Sequence, residues 1–344
     1  MQEYPWLEGV NGDPLPWLLG EQDPEVRYLT LRDLLDRPAD DPEITKAKSD
    51  CIQKGLIARV LDEMNPAGYW VQPGPGYNPK YRSTVWAVIL LAQLGADWGM
   101  DGRIAAACQY LLDESMCGTG IFSSDGNPSG TADCLQGNMC MSFLDLGWED
   151  PRLEQAFAWM ARTVTGEGLA PKSDRSAELR YYAGKCGPGF LCGANYALPC
   201  GWGATKVLLA FGRLPHTKRT PLIDRAIKMG VDFLFSVDPA TADYPRTTKS
   251  PNRCWWQFGF PVFYHTDILQ IAEALSQVGF GNDPRLGHTI ELILSKQDDA
   301  GRWALEYSFS GKTWVEVGNT GEASKWVTLR ALKTLKSVSK SGKV

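Results

Sequence analysis

The sequence predicts an all-α protein in which paired helices close into an (α/α)6 toroid. Three observations lead there. Apolar residues recur at spacings of three and four through most of the 344 residues, while strand-type alternation is scarce. Helix-start signals of the form Asp-Pro stand at Asp23, Asp41, Asp150 and Asp283. In that pair the carboxylate caps and the proline suits the first turn. Thirdly, the helices are of two kinds. STVWAVILLAQLGA, DCLQGNMCMSFLDLG, CGWGATKVLLAFG and HTDILQIAEALSQVG are apolar or small nearly all round, as buried helices are, whereas their partners carry charge on one face.

Taken in order, a first helix is expected over Pro24–Leu35, and a second from near Asp41 towards Met64. A glycine-rich loop with NPAGYW then leads to an inner helix Ser83–Leu94 and an outer one Gly102–Glu114. The loop CGTGIF precedes Asp133–Leu146 and Pro151–Val164, and a cysteine-rich loop precedes Cys200–Arg213 and Pro221–Ser236. Tyr264–Val278 and Pro284–Lys296 follow, and the loop QDDAGRW leads to a last inner helix, Ser324–Val338. Gly68 and Gly120 of the first two loops lie 52 residues apart, in the range of helix-pair repeats. Closure is preferred to an open solenoid because neither terminal unit has a polar cap. Residues 1–344 are read as one domain, with 1–22 as an N-terminal extension and 339–344 as a disordered tail.

A net charge of −5 without a long basic run argues against nucleic acid as the partner. No apolar run approaches the ~20 residues of a membrane span. The opening MQEYPWLEGV lacks the basic and apolar regions of a signal peptide, and nine cysteines, an odd number, suit a reducing cytoplasm. The oligomeric state is left open. Thirteen Trp, twelve Tyr and twelve Phe serve mainly to pack helices, or line a pocket for an apolar species.

Gln297–Trp303 reads Q-x-x-x-G-x-W, the QW motif of squalene and oxidosqualene cyclases. Asn65–Trp70 keeps G-x-W and Gly120–Phe122 keeps G-x-F. With the helix-pair period, the chain resembles the terpene cyclase/protein prenyltransferase superfamily over most of its length. The opening GDPLPWLL…VRYLTLRDLLDRP is similar to that of short single-toroid squalene-cyclase-like proteins. The resemblance implies a toroid cavity for an isoprenoid-like substrate. The acidic D-x-D-D run of protonating cyclases is absent; Asp40–Asp41 and Asp298–Asp299 lie at helix ends. Asp133, Cys134 and His265 echo the zinc ligands of protein prenyltransferases at altered spacing. Cys200-Gly201-Trp202-Gly203 echoes the lanthionine cyclases, which use Cys, Cys and His on zinc. Linalool dehydratase/isomerase, another toroid, uses two cysteines without metal.

In a toroid the inner helices run in parallel, so their N-termini share one mouth, and the scarce reactive side chains fall there. The segment Lys185 to Pro215 holds Cys186, Cys192 and Cys200, and a thiol at a helix N-terminus is favoured as thiolate. Cys134, Cys192, Cys200 and His265 make up a Cys3His set for which zinc is the default metal. Asp133 and Asp267 are the candidates to move a proton or orient His265. Lys80, Tyr81, Arg82 and Lys325 stand ready for a carboxylate or phosphate on the substrate, and Trp256, in RCWWQFGFPVFYH, for an apolar wall. Three functional readings stay open: a zinc-dependent lyase, isomerase or cyclase, with prenyl transfer next; a metal-free dehydratase/isomerase in which Cys192 and Cys200 act as acid and base; and a binding toroid with structural zinc. Each residue also has a plain alternative, Cys134 as core, Asp133 as a helix cap, and the cations as a polar rim. Cys186 and Cys254 are left unassigned.

Overall fold

A computed structural model describes residues 4–171, 173–177 and 184–341 of the chain. It is all-α. The helices are α1 Leu15–Leu18, α2 Pro24–Leu29, α3 Pro42–Gln53, α4 Leu56–Asp62, α5 Thr84–Gln93, α6 Gly102–Glu114 and α7 Asp133–Asp145. They continue as α8 Pro151–Thr165, α9 Gly201–Arg213, α10 Pro221–Leu234, α11 Ile268–Leu275, α12 Gly287–Ser295 and α13 Lys325–Lys340. Two short hairpins, β1 Met116–Cys117 with β2 Ile121–Phe122 and β3 Leu191–Cys192 with β4 Leu198–Pro199, sit in the loops.

The two kinds of helix take different places. Every residue of α5 from Thr84 to Ala92 is buried, as are Leu135 to Phe143 of α7. In α10, by contrast, only Ile223, Ala226, Ile227, Gly230, Val231 and Leu234 are buried, a single stripe at helical spacing. α5 packs on α7, α7 on α9, α9 on α11 and α11 on α13, while α8 and α10 lie outside them. One buried cluster of apolar side chains runs from Trp6 to Leu335.

Three outer elements start alike. Asp101, Asp150 and Asp283 each accept from the N–H two residues on, and the arginine there folds back onto the same carboxylate. Arg103 and Arg152 then reach the preceding outer helix, at Asp62 (3.1 Å) and Asp113 (2.7 Å). Part of the charge carried by the outer helices therefore links neighbouring repeats.

The G-x-W and G-x-F motifs are also structural joints. Gly68, Gly120 and Gly301 all adopt left-handed φ (95°, 86° and 71°), which only glycine takes readily. The turn sends Trp70 and Trp303, both fully buried, under the next inner helix. Trp70 Nε1 donates to Val60 O (2.8 Å) and Trp303 Nε1 to Ile293 O (2.7 Å), each at the end of the outer helix before. Their backbone N–H groups donate to Thr84 Oγ1 and Thr328 Oγ1 in the inner helix after. Gln297 does not cap a helix; its side chain donates to Gly9 O and accepts from Asn11 N, both at 2.8 Å. It thereby holds the N-terminal segment against the last loop. Lys336 of α13 donates to the carbonyls of Asp33 and Leu34 (2.8 and 2.9 Å), which joins the last inner helix to the first.

Several boundaries depart from the sequence reading. The second helix breaks at Gly55, where any Cβ would strike the Glu25 carboxylate. That carboxylate accepts from Ile57 N (3.0 Å) and serves the start of α4 from another helix. α2 ends in a π-turn, Thr30–Leu34. The inner helix expected from Tyr264 begins at Ile268, because Asp267 caps it by accepting from Gln270 N. His265 is thus left outside the helix. α13 reaches Lys340, and residues 342–344 of the expected tail lie outside the described residues. No described helix is long and apolar enough to cross a membrane.

Candidate active site

The closest pair of helices places the chemistry. Gly137 of α7 faces the backbone of Lys206 and Val207 in α9, where an added Cβ would lie 2.5 Å from Lys206 O. Gly203 likewise faces Asp133 Cβ, at 2.9 Å. These two glycines let the helices meet with their N-termini side by side, so Asp133 and Cys134 stand next to Cys200, the N-cap of α9. The hairpin β3–β4, which turns through left-handed Tyr196 and Ala197, brings Cys192 back to Cys200.

Cys134, Cys192 and Cys200 line one cavity of about 390 Å3, all as free thiols. Cys192 and Cys200 lie close enough in it to perturb one another, and the two titrate apart. The neighbouring Cys200 thiol, with the N–H groups of Ala194 and Asn195 and nearby Lys185, outweighs burial and lowers Cys192 to about 6. The Cys192 sulfur beside it, together with burial, keeps Cys200 protonated far above the ordinary thiol range. Burial pushes Cys134 up to about 11, with Asp133 and Cys192 adding to it. At neutral pH these opposite shifts favour one thiolate beside one thiol in the cavity.

Asp133 lies behind them, buried, and is not a helix cap; Ala132 occupies that position. Burial raises its carboxyl to about 7, against a bond from Cys186 Sγ to Oδ1 (2.7 Å), while Oδ2 has no partner among the described residues. Cys186, unassigned from the sequence, is thus the residue that orients Asp133; nothing in the spacing of the two signals it. Between pH 4 and 7 the folded chain keeps a proton on Asp133 that the unfolded chain has released, so this group makes stability fall as pH rises through that window. In Asp133→Asn that loss is expected to vanish. Its urea midpoint should gain on wild type from pH 4 to 7, and a pH-independent difference would contradict the assignment.

Other expected site residues lie elsewhere. His265, three residues before α11, opens on a separate cavity of about 20 Å3 with Asp267 and Cys254. Trp202, which lines the thiol cavity, packs edge-on against its ring at 5.0 Å. Burial, then Lys206 and Lys80, lower His265 to about 4, and Nδ1 has no partner. Asp267 caps α11 and forms a buried two-point ion pair with Arg330, both bonds at 3.0 Å, and it lines the small cavity of His265 and not that of the thiols. Trp256 Nε1 is bonded to Ala240 O, and its neighbour Trp255 lines the cavity instead. Tyr81 packs among aromatic rings and shares a hydrogen bond with Tyr264 Oη (3.2 Å). Arg82 is exposed over the Trp314 ring, and Lys325 pairs with Asp23 (2.8 Å). Lys80 alone of that group reaches the cavity.

Zinc on Cys134, Cys192, Cys200 and His265 does not fit this arrangement. The imidazole faces a different cavity from the sulfurs, and among the described residues no three His, Cys, Asp or Glu side chains stand as a metal-binding group. Lys206, fully buried on α9, donates to Gln270 Oε1 (2.7 Å), and burial lowers it to about 7. A lysine in the middle of an apolar helix gives no sequence sign of this role.

No family model and no curated protein matches the chain. Among solved structures it is similar to the type II terpene cyclase MstE from Scytonema in its apo form. That match has 12% identity and a TM-score of 0.31 over 86% of this chain and 99% of that one. A variant of the same cyclase in complex with geranylgeranyl dihydroxybenzoate matches with 12% identity and a TM-score of 0.31, over 86% and 96%. Likeness this distant supports no conclusion about chemistry.

Proposed function

We propose that the protein is a cysteine-dependent enzyme that removes or shifts the hydroxyl of a small apolar, isoprenoid-like alcohol, on an (α/α)6 toroid. The ties from Lys336 to Asp33 and Leu34 and from Gln297 to Gly9 and Asn11 support ring closure, since they bring the two ends of the helix series together. The observation that carries the chemistry is the Cys192–Cys200 pair, a thiolate beside a thiol in a cavity walled by Leu135, Trp202, Trp255 and Tyr264. Cys200 gives its proton to the hydroxyl oxygen as the C–O bond breaks, and water leaves. Cys192 takes a proton from the neighbouring carbon, whose C–H electrons form the double bond. The proton then returns from Cys192 to the neighbouring Cys200, which restores the starting state. An allylic alcohol suits this route, because aromatic faces stabilise the cationic character at the carbon.

The test is a panel of allylic alcohols of about ten to fifteen carbons, sized for such a cavity, both neutral and bearing a terminal carboxylate. Product analysis is expected to show loss of water or a moved double bond. Cys192→Ser and Cys200→Ser should each lower the rate by roughly a hundredfold or more, as for loss of a general base or acid. No turnover of any member, or full activity in either variant, would count against the reading.

A further inference from the structure

We infer that the cavity takes an amphipathic organic oxyanion, a carboxylate or a phosphate ester on an apolar chain, held at the rim by Lys80, Lys185 and Arg246. The inference rests on the reading above for which cavity receives the substrate, and not for the reaction. Three cationic side chains line this one cavity and no described carboxylate does. In a protein of net charge −5 that separation is local and marked.

Each cation is available in a different way. Lys80 is exposed, stands over the Tyr264 ring at 4.8 Å and pairs with no described carboxylate. A lysine held over an aromatic face is positioned without being neutralised. Lys185 is exposed at the start of the cysteine segment and likewise forms no ion pair with a described carboxylate. Arg246 is fixed by Asp243 (2.6 Å) and Tyr244 O (3.2 Å) through Nη1, and its Nε is buried without a partner.

Two further features add to the positive field. α7 and α9 each bring an N-terminus to the cavity, and neither is capped by a side chain. The lowered Cys192 thiol reports the same field, since Lys185 is among its causes. Asn252, whose side-chain oxygen accepts from Cys254 N, adds a neutral amide donor to the rim. Below it the wall is apolar and aromatic. A neutral hydrocarbon would use the wall and leave the cations idle; an anion with an apolar chain uses both.

Titration calorimetry on the full chain with decanoate, decyl phosphate and decanol tests this. Both anions, or one of them, should bind at least about tenfold more tightly than decanol, and the tighter of the two identifies the headgroup. Lys80→Gln and Lys185→Gln, both changes at exposed positions, should each cut that advantage about threefold or more and leave decanol binding unchanged. The preference should persist in Cys192→Ser. Equal affinity for all three ligands, or an anion advantage that survives both lysine changes, would overturn the inference. Anion preference with no turnover of the alcohol panel would count against the thiol chemistry alone. Turnover with no anion preference would count against the rim alone.

Discussion

Iodoacetamide should modify Cys192 with an apparent pKa near 6, so that its rate has reached a plateau by pH 7. An ordinary thiol near 9.0 is about 1% ionised at that pH, whereas one near 6 is about 90% ionised, so the thiolate is favoured by roughly a hundredfold. Cys134 and Cys200 should stay unmodified under the same conditions, because both are pushed upward. Removing the neighbouring thiol separates the causes. In Cys200→Ala the backbone N–H groups of Ala194 and Asn195 remain but the thiol does not. The apparent pKa should then rise towards the ordinary value, with about a tenfold loss of rate at pH 7. Peptide mapping of the alkylated chain across pH 5 to 9 measures both effects. A Cys192 that reacts only above pH 8 in wild type would remove the thiolate from the cavity, and with it the proposed base.

Trp303→Ala is expected to cost about 3–5 kcal/mol, the range for emptying a large aromatic site. The indole is fully buried, and its loss also leaves Ile293 O, at the end of α12, without its donor. Trp303→Phe should retain most of the packing and cost only about 1–3 kcal/mol, the loss of one buried donor. Trp98, half exposed at 50%, is the control, and Trp98→Ala should cost less than about 1 kcal/mol. Urea unfolding of the three variants orders these effects. If Trp303→Ala and Trp98→Ala had similar midpoints, the motif would not be the joint between repeats that its hydrogen bonds describe.

Much of the helical plan is legible in the residues. Buried α5 and striped α10 differ in sequence as they differ in place, because apolar periodicity records how many sides of a helix are covered. The Asp-Pro starts cap as expected where the cap depends on the next two residues, as Asp41 and Asp150 do. Where the partner comes from another helix, the sequence reading fails. Gly55 ends a helix because Glu25 needs the space, and Asp267 moves the start of α11 past His265.

The site divides on the same line. Three cysteines in one cavity follow from a loop that leads straight into α9 and from helix starts on neighbouring inner helices, so Cys134, Cys192 and Cys200 are within reach of sequence reasoning. His265, Tyr81, Arg82 and Lys325 each lie within a few residues of an expected helix start and Trp256 in the segment leading to one, and a few residues suffice to turn a side chain onto another face. Trp255 for Trp256 is the simplest case.

By itself the sequence determined the helices, their alternation and the chance that thiols gather at one end, since these depend on local periodicity and capping. Only the tertiary structure decided which groups share a cavity, that Cys186 holds Asp133, and that Arg330 takes Asp267. Those are contacts between residues 53 and 63 positions apart, formed when helices pack within a few ångströms, a distance no local pattern encodes.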